Sequence, residues 1–199
     1  MSYRSAVLLL LPLAIACTPA GEDQNSSMQA TQVKASGPAQ GSLEWKIATA
    51  ESAAHADIAK AATILELPHD GAKEPTQLRA GTNGWTCMPD LPDSRDVIDP
   101  MCFDDVFLQW VDALQNKKPV KITRVGLSYM LKGDAGASVT DPYASGPTPD
   151  NQWVVSGPHV MMIVPNAKDL DGLPGAPSEY GAYVMWKGTP YAHIMMPVQ

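Results

Sequence analysis

The chain predicts an α+β domain: an antiparallel or mixed sheet of about five or six strands, one main amphipathic helix over about 99–118, and a smaller N-terminal helix. Three observations carry this. Val106, Phe107, Trp110, Val111 and Leu114 recur at helical spacing. After Pro119 the pattern changes to alternation, with Val125, Leu127, Tyr129 and Leu131 interleaved with Gly126, Ser128 and Met130. Two cysteines, Cys87 and Cys102, bracket the approach to the helix at a spacing that suits a disulfide in an exported chain.

The N-terminal residues predict export. Arg4 precedes a short apolar run, Ala6 to Ile15, that is too short to span a bilayer. The run ends Leu13-Ala14-Ile15-Ala16-Cys17, similar to a lipobox. Residues 1–16 read as a signal peptide, and Cys17 as the lipidated first residue of the mature chain. That assignment explains the odd cysteine count. The partner it implies is the membrane, through an acyl chain, and the location is the periplasm or the outer surface of a bacterial envelope. Residues 17–42 are polar and low in complexity, a tether reaching about 25–30 Å. Residues 43–199 form one domain by length.

Composition narrows the partners. The formal net charge is −7, and removing Arg4 with the signal makes it one unit more negative. Such a chain does not favour nucleic acid or an anionic lipid surface.

Within the domain, Thr49 to Ala61 reads as the first helix, with Thr49 as its cap. Ala62 to Leu67 reads as a strand. Thr76 to Ala80 and Trp85 to Met88 read as two short strands about the Asn83-Gly84 turn. The Cys87–Cys102 bond would tie the irregular, aspartate- and proline-rich loop between them to the helix that follows. Its contribution is about 3 kcal/mol in the chain-entropy model. Asp99 as N-cap and Pro100 at the first helical position open the main helix, and Pro119 ends it. Gly133 to Gln152 reads as a long loop. Trp153 to Pro165 is strand-like, broken at Gly157-Pro158. Asn166 caps a single helical turn. Ala182 to Lys187 and Tyr191 to Val198 form a final hairpin.

Four stretches, GTNGWTCMPD (81–90), DPMC (99–102), GPHVMMIVP (157–165) and MWKGTPYAHIMMPV (185–198), resemble a family of small exported bacterial proteins with no established activity. The likeness runs from about Ala59 to Val198. It implies one exported domain and brings no catalytic residues with it. Val139 departs from the family, which carries a polar residue there.

Two copies of H-x-M-M, at His159 and at His193, are the chief candidates for chemistry. In a strand, residues two apart share a face, so His159 with Met161 and His193 with Met195 each present an imidazole and a thioether together. Those donors suit copper, above all Cu(I). The bland reading is that the histidines end strands and the methionines fill core. An enzyme reading takes His159 or His193 as a base oriented by Asp134, Asp141 or Tyr191. No G-x-S-x-G, HExxH, P-loop or GxGxxG accompanies them. Cys87 would serve as a nucleophile only if it were free. The default expectation is a non-catalytic envelope module that binds a partner or small ligand and needs no cofactor. Its groove would lie beside the long loop, with Trp85, Trp153, Trp186 and Tyr191 as candidate walls.

Overall fold

The structure, a computed structural model, describes residues 37–68, 74–89, 99–177 and 181–198. The predicted signal, Cys17 and most of the tether lie outside the described residues. Among those described, no helix is long and apolar enough to cross a membrane.

Helices α1 (Leu43–Glu51), α2 (Ala56–Ala59) and α3 (Asp105–Gln115) accompany strands β1 (Thr63–Glu66), β2 (Thr76–Arg79), β3 (Thr86–Met88), β4 (Met101–Phe103), β5 (Gly126–Met130), β6 (Ala137–Ser138), β7 (Trp153–Val154), β8 (His159–Ile163), β9 (Tyr183–Met185) and β10 (His193–Pro197). The class is α+β with a mixed sheet, as the periodicities predict. The sheet is larger than expected: eight strands in the order β2-β1-β3-β4-β5-β8-β10-β9, with β6 and β7 pairing apart. The strands that were not expected, β4 and β6, are only three and two residues long, too short to show alternation.

The first helix starts earlier than predicted. Ser42 caps α1 by accepting from Trp45 N at 3.1 Å, and Thr49 is buried inside the helix instead of capping it. The remainder of the predicted segment forms α2. The expected β2–β3 hairpin does not form either. β1 lies between them, antiparallel to β2 and parallel to β3. Gly81 permits this path, because a Cβ there would stand 2.1 Å from the backbone N of Thr63. Only glycine lets the returning chain lie so close to the start of β1.

The start of α3 is also corrected. Residues Met101–Phe103 form β4, and the N-cap is Asp104, not Asp99. One Oδ of Asp104 accepts from Val106 N at 3.1 Å and Phe107 N at 2.8 Å; the other accepts from Leu127 N at 3.0 Å. A single carboxylate thus caps the helix and fixes it to β5. Cys87 and Cys102 face each other across β3 and β4 and are bonded. The bond therefore joins two neighbouring strands; it does not fasten a loop to a helix. The predicted loop between them lies largely outside the described residues.

The two faces of the main sheet carry separate cores. On one side Ala50, Ala53, Ala59 and Ala62 pack with Ile64, Cys87 and Cys102. On the other, α3 lays Val106, Phe107, Trp110 and Ala113 over Phe103, Met130, Met161, Ile163, Met185 and Met195. β5 shows why its phase was misleading. The face toward α3 is Gly126, Ser128 and Met130, all buried, while Leu127 and Tyr129 are half-buried on the other side. Gly126 is required there: a Cβ would come within 2.9 Å of both Ile163 and the backbone N of Phe107.

The long segment after β5 is more ordered than its composition predicts. β6 pairs with β7, and Ser138 Oγ donates to Asn151 O at 2.7 Å. Trp186 locks the segment to the domain, its Nε1 donating to Ser138 O at 2.7 Å and its backbone N to Val139 O at 2.7 Å.

Candidate functional site

The registers place both H-x-M-M motifs on one face of one sheet. β8 and β10 are antiparallel neighbours, with Met195 opposite Met161 and Pro197 opposite His159. On the other flank of β8, Met130 stands opposite His159 and Ser128 opposite Met161. Beyond β10, Met185 stands opposite His193. Alternation turns His159, Met161, His193 and Met195 toward α3, and all four are buried.

A cavity of about 360 Å³ opens between this face and α3. Its walls include His159 and His193 and six methionines: Met88, Met101, Met130, Met161, Met185 and Met195. The chain has ten methionines, so most of its thioether sulfur is gathered here. Trp110, Val111 and Leu114 of α3 cover it, Trp186 closes one side, and Asp134 and Ala137 bring the long segment to its rim.

Each imidazole is fixed by a backbone carbonyl two residues before it. His159 Nδ1 lies 2.7 Å from Gly157 O, and His193 Nδ1 lies 3.0 Å from Tyr191 O. A carbonyl only accepts, so Nδ1 carries the hydrogen in both rings and Nε2 of the neutral ring holds the lone pair. His159 is 1% exposed and its Nε2 has no hydrogen-bond partner among the described residues. Trp110 Nε1 is likewise buried without a partner. Buried polar atoms are normally satisfied, so two orphans beside one cavity are unusual.

His193 has a different setting. Its ring meets Trp110 edge-on at 5.1 Å and Trp186 edge-on at 4.9 Å, beside two indoles that stack on each other at 5.8 Å. Burial pushes this imidazole down to about 4; its hydrogen bond to Tyr191 acts against the shift, and the electrostatic influence of His159 adds to it.

The four-residue copper set is thus brought onto one wall but not around one point. With His159 opposite Pro197, the two histidines are four residues apart along the sheet, about 14 Å. One ion cannot take both rings without a large lean of each, and His193 is held by its indoles. Met130, directly across from His159, did not stand out in the sequence. The signal that would have found it is the methionine count combined with strand pairing.

The other candidates are dispersed. Trp85 packs on Tyr129 at the opposite face, 5.5 Å between rings. Trp153 lies on β7 against Gly136. Tyr191 donates to Lys118 O at 3.1 Å and lines a second cavity of about 490 Å³ at the far end of α3. Of the four aromatics, only Trp186 borders the methionine-lined cavity. The second cavity is larger, but its Tyr191 hydroxyl is already bonded and Lys117 is engaged over the Tyr143 ring. Unmet polar demand therefore favours the smaller cavity as the site.

The two aspartates of the enzyme reading accept from backbone and not from an imidazole. Asp134 accepts from Gly136 N and Ser156 N at 3.0 and 2.9 Å, and Asp141 accepts from Tyr143 N at 2.9 Å. Among the described residues no carboxylate is bonded to either imidazole, and no group of three or more His, Cys, Asp and Glu is arranged to hold a metal. No family profile, curated protein or solved structure matches the chain.

Proposed function

We propose that the chain is an exported, lipid-anchored, non-catalytic binding module, and that its ligand site is the methionine-lined cavity under α3. The observation that carries this is the cavity itself: about 360 Å³, with apolar walls and an unpartnered imidazole nitrogen buried in one of them. Its size falls in the range of small-ligand pockets, and a few polar groups on mostly apolar walls are their usual chemistry. Anchoring at Cys17, an envelope location and kinship with the exported bacterial family rest on the sequence features. The histidine-base reading is not carried further, because both imidazoles are buried and no described carboxylate orients either ring.

The test uses N-phenyl-1-naphthylamine, a small neutral fluorophore that accepts energy from tryptophan. It should bind saturably at one site and quench Trp110 and Trp186. Ala137→Phe, which fills the cavity from its rim, should abolish the quenching. Binding that ignores this substitution would remove the cavity as the ligand site. The anchor is tested separately: the full chain should fractionate with membranes, and Cys17→Ala should release it.

A further inference from the structure

Resting on the reading of this cavity as the ligand site, its donors specify a ligand class. Around His159 the sheet arranges three thioethers. Met130 is its direct cross-strand partner, where side chains stand about 5 Å apart at Cβ. Met161 follows two residues on along β8 and shares its face. Met195 is opposite Met161, and so diagonal to His159, about 7–8 Å away by strand spacing. All four line the cavity. Their strands are consecutive in the sheet, β5-β8-β10, so the donors are held on a rigid wall.

His159 Nε2 is the atom that lacks a partner. Its Nδ1 is fixed on Gly157 O, the arrangement by which a backbone carbonyl orients a metal-binding imidazole. The Nε2 lone pair needs a donor, and thioether sulfur, an acceptor only, has no hydrogen to give it. That sulfur is a good ligand for one class of ion, the soft monovalent metals. We infer that the His159 end of the cavity is a Cu(I) site, ligated by Nε2 of His159 and the sulfurs of Met130, Met161 and Met195. His193 lies outside this set, four residues along the sheet and packed beside its two indoles.

The experiment is Cu(I) titration against a chromogenic Cu(I) chelator. It uses the full chain carrying Cys17→Ala, so that no free thiol competes, with ascorbate as reductant because it leaves the disulfide intact. One equivalent of Cu(I) should be withheld from the chelator, and the copper X-ray absorption spectrum should show sulfur with one nitrogen. Met130→Leu, Met161→Leu and Met195→Leu conserve side-chain volume and keep the fold. Each should weaken binding at least about tenfold, the lower end of what losing even an outer support costs a metal site. Met162→Leu and Met196→Leu, on the other face, should leave it unchanged. If Met130→Leu has no effect while His193→Asn abolishes binding, this ligand set is wrong. If copper is not withheld but N-phenyl-1-naphthylamine still binds, the copper inference falls and the binding module stands. If neither binds, both fall.

Discussion

On the α1 side of the main sheet the touching groups are alanines and a disulfide; on the α3 side they are methionines, tryptophans and two histidines. Alanine lets a helix approach the strands closely and leaves little volume to misfit. Ala50 is fully buried, and its carbonyl lies 3.6 Å from Cys102 Sγ. Methionine is long, unbranched and adaptable, and its packing here leaves about 360 Å³ unfilled. One face is thus closely packed and the other leaves a cavity. The contrast teaches that tight packing and an open volume can sit on opposite sides of one sheet, each through its own residue types.

The largest effect that would break this division is loss of the staple. Cys87→Ser with Cys102→Ser should cost about 3 kcal/mol in urea unfolding. N-phenyl-1-naphthylamine should bind the folded fraction unchanged, because the bond faces away from the cavity. Loss of probe binding by folded protein would show that the two faces are coupled.

A comparable effect is expected from acid, acting on the cavity side. Burial holds His193 at about 4 in the folded protein, below its ordinary 6.5. The unfolded chain therefore takes up the proton first, and stability rises with pH between about 4 and 6.5. The contribution is present above that window and is lost as pH falls through it. Its size is about 3 kcal/mol, at 1.36 kcal/mol per unit. His193→Asn keeps a donor for the Tyr191 carbonyl and does not titrate, so its stability should fall less between pH 7 and pH 4. Equal slopes for the two proteins, measured by urea unfolding at stepped pH, would contradict this.

Two substitutions sharpen the comparison with smaller effects. Ala50→Leu forces bulk against the disulfide and should destabilise by about 1–3 kcal/mol. Met161→Leu in the opposite core should cost less than about 1.5 kcal/mol. A reversed order in thermal unfolding would mean that the methionine face is the tightly specified one.

The legible parts of the fold were those with a period. The stripe of α3, the strand β8 and the β9–β10 hairpin are long enough, or bounded clearly enough, to be read locally. β4 was not, because Asp99-Pro100 imitates a helix start. Asp104 wins that competition by accepting three backbone N–H groups at once, one of them from β5. The position of β1 between β2 and β3 is set by pairing across the chain, which no local pattern encodes. The same limit applied to the site. The two H-x-M-M motifs stood out, and their shared face followed from strand parity. Met88, Met101, Met130 and Met185 each looked like ordinary filler, since their convergence depends on which strands are neighbours. The four candidate aromatics shared only a residue class, and the fold scattered all but Trp186 away from the cavity.

The order of strands across the sheet nearly repeats their order along the chain: β1, β3, β4, β5, β8, β10, with β2 and β9 laid on the two outer edges. A chain threaded out N-terminus first can therefore build its sheet in one direction, each new strand joining the last. The cysteine-bearing hairpin is complete before β8 exists, and Met195 arrives only with the final strand. In such a chain the staple can close before the pocket does. A chain cut after Lys187 would keep its staple, yet β8 would become an open border and the pocket would lack its last wall.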